Sequence, residues 1–154
     1  MVIDNSDWFL ARILELAEGA APVSVAVTLT TGGLLVSGRP IGSKAYFERV
    51  AEQLGEAQDR LDGGGETIRE PFLGLAHVVE ADRLQEQAER DHLIATLGAG
   101  EQLTPEQESR FQRQYVNLED VSMFGAGQQI VHTQLWRGRL SAVTGWNFGL
   151  LEAS

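Results

Sequence analysis

The chain has 154 residues, 43% of them hydrophobic and 22% charged, with 22 acids against 12 bases for a net charge of -10. That length suffices for one domain spanning 1–154 with its own core, and the absence of cysteine excludes disulfides, thiolate chemistry and cysteine-based zinc sites. The acid excess argues against nucleic acid and anionic membranes, since both reward a basic footprint.

The opening segment sets Asp4, Asp7, Glu15 and Glu18 against Arg12, the reverse of a secretory leader. A helix is predicted from about Ser6 to Glu18, with Trp8, Phe9, Ile13, Leu16 and Ala17 on its apolar face and Gly19 at its stop. Positions 19–38 carry no charge, yet Pro22, Ser24, Ser37 and Gly32-Gly33 interrupt them. They therefore read as two strands and a turn instead of a membrane span, and a soluble protein is expected. Val23, Val25, Val27 and Leu29 alternate with small or polar residues as in a half-buried strand, Gly32-Gly33 suits a hairpin, and Leu34 to Gly38 supplies the partner strand.

Ser43 is the expected N-cap of a helix whose apolar face is Tyr46, Phe47, Val50, Ala51 and Leu54, running on toward Leu61. Gly63-Gly64-Gly65 should break it as a mobile loop. Leu75 to Leu97 has a helix-forming composition, and Thr104-Pro105 with Gln107 combines a cap, a first-turn proline and a capping-box partner for a short helix ending near Gln114. From Glu66 to Arg113 there are ten acids and five bases, so 62–114 reads as an acidic helical insertion.

Strands return after it. Val116 and Leu118 alternate, the phase slips across Glu119-Asp120, and Val121 and Met123 take over, which predicts a bulge. Gly125-Ala126-Gly127 reads as a turn, followed by strands Ile130 to Trp136 and Arg139 to Phe148 with a bend at Arg137-Gly138. The expected fold is α+β: a small antiparallel β-barrel of about five strands with an N-terminal helix and helices inserted between two β blocks.

Catalytic templates fail in turn. His77, His92 and His132 are scattered, without metal-ligand spacing, and no serine sits in a nucleophile elbow. Gly38 to Lys44 resembles a phosphate loop only superficially, because the order is Gly-Ser-Lys and Pro40 removes an amide donor. Glu80, Asp82, Glu86, Glu89 and Asp91 read as a solvated helix face, with a divalent-metal enzyme as the chemical alternative. No cofactor, metal or enzymatic activity is expected. The aromatics are the informative residues: Trp136, Trp146 and Phe148 fall near Arg137 and Arg139, where each ring is either core or a contact hot spot.

Two segments carry a family resemblance. Val25 to Phe47, VAVTLTTGGLLVSGRPIGSKAYF, and YVNLEDVSMF with LWRGRLSAVTGWNFGLL resemble the two blocks of the gas vesicle protein U family. The match is most specific at Trp136, Arg137, Gly138 and Arg139, with Gly145, Trp146, Phe148 and Gly149 behind them and Gly38, Tyr46 and Phe47 in the first block. The same blocks are loosely similar to an Sm-like or SH3-like barrel. The family resemblance implies a non-enzymatic accessory protein that binds gas vesicle shell protein, or itself as a homo-oligomer, and so influences assembly or clustering. It rests on the two blocks and not on Asp62 to Arg113. The alternative is a barrel module for oligomerisation or protein binding unrelated to vesicles.

Overall fold

The computed structural model describes residues 7–125 and 130–151. In chain order it runs α1 (Trp8–Glu15), β1 (Val27–Thr31), β2 (Leu34–Pro40), α2 (Ser43–Leu61), α3 (Gly65–Ala95), α4 (Pro105–Arg110), β3 (Tyr115–Phe124), β4 (Ile130–Arg139), a 3-10 turn (Leu140–Ala142) and β5 (Val143–Phe148). The five strands form one antiparallel sheet in the order β4-β3-β2-β1-β5. Among the described residues the ladders stop at β4 and β5, so the expected barrel is an open sheet.

The hairpin between β1 and β2 forms because Gly32 and Gly33 both take positive φ, 54° and 80°, as a primed two-residue turn requires. Between β2 and β3 the register shifts from Ser37↔Ser122 to Arg39↔Glu119, with Asp120 at φ 50°. This is the bulge expected from the phase slip. Gly38 sits opposite it: a β-carbon there would meet the Glu119 carbonyl at 3.0 Å and Val121 Cγ2 at 3.2 Å. The last two strands divide elsewhere than expected. Arg137-Gly138 continues β4 without a bend, and the turn falls at Leu140–Ala142. Of the predicted Gly125 turn, Ala126 and Gly127 lie outside the described residues.

The core is built from Val27, Leu29, Val36, Val116, Leu118, Val121 and Leu140 of the sheet region with Leu10 and Leu14 of α1. The buried face of α1 is only partly the expected one. Ile13 packs against the core and Ala17, just past the helix, is buried as expected, but Leu10 and Leu14 lead the face, while Trp8 is 76% exposed and Phe9 and Leu16 are also exposed. Asp7 caps α1, accepting from the amides of Phe9 and Leu10 at 2.8 and 3.2 Å.

α2 and α3 pack as a helical hairpin. The glycine run is a tight turn and not a loose loop: Gly63 and Gly64 adopt positive φ, and Gly65 already opens α3, its amide donating to Asp59 Oδ1 at 2.8 Å. α3 begins ten residues before Leu75 and passes through Pro71, which costs a helix one backbone bond but does not end it here. At 1.5 Å per residue α3 is about 46 Å long against about 28 Å for α2. Beyond Arg83, α3 therefore outruns its partner, and α4 folds back onto it through Arg110 and Glu89 at 2.8 Å. The capping box at Thr104 and Gln107 forms as expected, but α4 stops at Arg110, short of Gln114.

Candidate functional site

The residues singled out from sequence gather in two clusters at opposite edges of the sheet. At the β4 edge the Arg137 guanidinium lies over the rings of Tyr115, Phe47 and Tyr46, at 4.1, 5.1 and 5.9 Å from their centroids. α2 delivers Tyr46 and Phe47 from its first turns, edge-to-face at 5.4 Å. Tyr115 is paired with Arg139 and so is a diagonal neighbour of Arg137, within reach across the β3–β4 ladder. α2 is held over this end by Gln53 to Gln134 at 2.7 Å and by an ion pair between Arg49 and Glu119. Arg137 and Arg139 remain exposed. The result is a cation fixed on an aromatic bed with its outer face open to solvent.

Trp136 stands apart from this cluster. It is half-buried and packs against the hydrophobic core. Its ring covers Gly138, where a β-carbon would collide with it. The Trp-Arg-Gly-Arg run thus alternates as a strand must, with Trp136 and Gly138 on the core side and Arg137 and Arg139 outward.

At the β5 edge, Trp146 and Phe148 join Phe9 and Trp8 of α1. Phe9 meets Trp146 at 5.4 Å and Phe148 at 6.1 Å, Trp146 meets Phe148 at 4.9 Å, and Trp8 leans on Phe9 at 5.9 Å. The Trp146 indole donates to Asp7 Oδ2 at 2.7 Å, fastening β5 to the cap of α1. That bond holds the Asp7 carboxyl below its ordinary range, helped by the Leu10 and Phe9 amides. Trp8, Phe9 and Phe148 are all exposed, so the cluster is a surface as much as a seam. Sequence reading missed Trp8 and Phe9 as surface residues. Their adjacency was the signal, since consecutive helical positions lie 100° apart and cannot both face the core well.

A third group is buried and polar. The Glu18 side chain, 4% exposed, accepts from the Ser43 amide at 3.0 Å, the Ser43 hydroxyl at 3.1 Å and Arg113 at 3.1 Å. Arg83 of α3 lies 3.8 Å away, and Asn117 of β3 donates to the Ser43 hydroxyl at 3.3 Å. The expected Ser43 cap is therefore replaced. Gly42 holds the N-cap position without a side-chain bond, and a carboxylate from the turn that follows α1 satisfies the first amide of α2. A β-carbon at Gly42 would meet Glu18 Oε2 at 2.8 Å and the Ala17 carbonyl at 3.1 Å, so a larger residue would push the carboxylate off the Ser43 amide.

Among the described residues, groups resembling parts of catalytic sites stay apart. Ser122 and His132 meet at 2.9 Å on the exposed sheet, but no carboxylate bonds the other ring nitrogen among the described residues. The shallow depression between α3 and α4 is lined by Asp82, Gln85, Glu86, Glu89, Arg110 and Phe111, and it is open to solvent. Among the described residues no three His, Asp or Glu are placed to hold a metal ion, and no helix is long and apolar enough to cross a membrane.

The model of the family described as gas vesicle protein GvpU-like matches residues 7–151. The chain belongs to this family. The match takes in both aromatic clusters and the Glu18 group, and it runs through the acidic helices on which the two-block resemblance was silent. The GvpU-like chain is thus a gas vesicle-related protein of an accessory family. Searches of curated proteins and of solved structures returned no match.

Proposed function

We propose that this GvpU-like chain is a non-enzymatic accessory protein of the prokaryotic cytoplasm that binds gas vesicle shell protein or itself and so influences vesicle assembly or clustering. Family membership over residues 7–151 carries the reading. The Arg137 cluster is the contact surface for the shell. Its guanidinium is pre-ordered over Tyr115, Phe47 and Tyr46, so little side-chain entropy is lost on docking, and arginine and tyrosine are the residue types that dominate binding hot spots. The acidic helices keep the assembly soluble and repel anionic surfaces, which disfavours nucleic acid and membranes as partners.

Co-flotation with purified gas vesicles tests this. The wild-type chain should rise with the vesicles at low salt, and Arg137→Ala should reduce retention roughly tenfold, as expected for a central contact residue. A wild-type chain left in the subnatant overturns the shell reading.

A second reading has its own support. Five antiparallel strands after a short helix, with both sheet edges open among the described residues, are compatible with an Sm-like or SH3-like module for oligomerisation unrelated to vesicles. Retention by vesicles would reject it. Self-association in a host without vesicle genes would favour it.

A further inference from the structure

The two open edges of the sheet are not equivalent. On β4, Leu140 N–H donates to the Gln114 carbonyl at 2.8 Å, and Tyr115 is paired with Arg139. Alternation along the ladder then turns the backbone of Val131, Thr133, Leu135, Arg137 and Arg139 outward. This edge is blunted: it carries two arginines, and the Leu135 carbonyl accepts the Thr133 hydroxyl at 3.2 Å.

On β5, Gly149 N–H donates to the Ala26 carbonyl at 2.8 Å, and Thr28 is paired with Asn147. The amides and carbonyls of Trp146 and Phe148 therefore face away from β1, and no ladder covers them among the described residues. The bulge in the β1–β5 ladder lies before this stretch, between Gly145 and Val143, and leaves Trp146 and Phe148 in regular register with Leu29 and Val27. From Leu140 to Leu151 the sequence holds no charge and no proline, and Phe148 is 55% exposed beside Trp8 and Phe9.

We infer that the β5 edge is a homodimer interface, in which β5 pairs antiparallel with β5 of a second copy about a two-fold axis near Asn147. Unpaired backbone groups call for an extended strand as partner. Charge selects which strand: in a chain of net charge -10, β5 itself carries no charge, and Asp7, the carboxylate beside it, is already engaged by the Trp146 indole and the first amides of α1. The pairing is self-complementary, as a two-fold contact must be. With the axis at Asn147, Trp146 of one copy stands opposite Phe148 of the other, an aromatic cross-strand pair. The axis is perpendicular to the sheet, so both aromatic clusters lie on the same face and their exposed rings meet across it. This deepens the self-binding half of the proposed function. Its test contains no shell protein, so its outcome is independent of the flotation result.

Sedimentation equilibrium of the purified full chain should give twice the 16.8 kDa chain mass at micromolar concentration. Asn147→Lys sets two cations together at the axis and should weaken the dimer at least tenfold while keeping the far-ultraviolet dichroism of the wild type. Phe148→Pro removes an outward amide while breaking no hydrogen bond to β1, although it also removes the ring on Phe9 and Trp146; with the wild-type far-ultraviolet dichroism retained it should do the same, which covers the case that the lysine variant misfolds. Val131→Lys on the β4 edge should leave the mass unchanged. A wild-type chain that stays monomeric overturns the proposal. So does a dimer that survives both β5 variants, or one that dissociates only with Val131→Lys.

Discussion

Asp7 shows how one side chain joins two elements. Its carboxylate caps α1 and accepts the Trp146 indole of β5. These bonds favour the ionised form, so the folded-state pKa lies below the ordinary 3.8. A carboxyl lowered on folding contributes stability above its unfolded pKa and loses it as the pH falls through the folded value. Asp7→Asn keeps a capping oxygen but not the charge. The stability gap between wild type and Asp7→Asn should therefore be constant near neutrality and close below pH 3.8, as read by urea titrations at successive pH values. A gap that ignores pH would show that the charge on Asp7 does not hold β5 to α1. At neutral pH, Asp7→Ala should cost about 1 kcal/mol, the usual worth of a lost cap.

Between elements, the Glu18 group is the main polar joint. The α2–α3 hairpin touches the sheet sparingly, and Glu18 ties the turn that follows α1 to the start of α2, to Arg83 of α3 and, through Arg113, to the Tyr115 carbonyl of β3 at 2.9 Å. Glu18→Ala would uncap α2 and leave the Arg113 side chain, 9% exposed, with the Tyr115 carbonyl at 2.9 Å and, as counter-charge, the more distant Glu15 at 3.5 Å. Breaking one side of a buried ion pair costs about 3 kcal/mol, and the first turn of α2 should exchange its amide hydrogens faster. Glu18→Gln retains an acceptor for the Ser43 amide and should lose less. Equal, small losses in both variants would mean that the hairpin is held by other contacts. This joint was not legible in the sequence, because Arg113 lies 95 residues from Glu18 and no local spacing links Glu18 to Ser43, Arg83, Arg113 and Asn117. The bulge at Asp120, the Gly32-Gly33 turn and the Thr104 capping box were legible, since each is set by neighbours in the chain. The face of α1 was misread where two aromatics outweighed Leu10 and Leu14 in the apolar pattern. Likewise Trp136 and Arg137, adjacent in one motif, part to opposite faces once strand alternation acts on them.

For the molecule as a whole, charge and shape pull against each other. The sheet strands are nearly neutral, the acids concentrate in the helices, and the net charge is -10. Two copies joined at β5 bring two such bodies together, so long-range repulsion opposes the backbone and aromatic contacts that favour the pair. Repulsion between exposed charges falls off over a Debye length, about 30 Å at 0.01 M salt and about 8 Å at 0.15 M. Aromatic burial does not weaken with added salt. Self-association should therefore tighten as sodium chloride rises from 0.01 to 0.15 M, the opposite of an interface held by ion pairs. Shell binding through Arg137 should weaken over the same range if the shell surface it meets is acidic. Sedimentation and co-flotation across one salt series separate the two, because a β5 contact and an Arg137 contact then respond with opposite sign. A dimer that dissociates with added salt would place its interface on the arginines of β4 in place of the uncharged edge of β5.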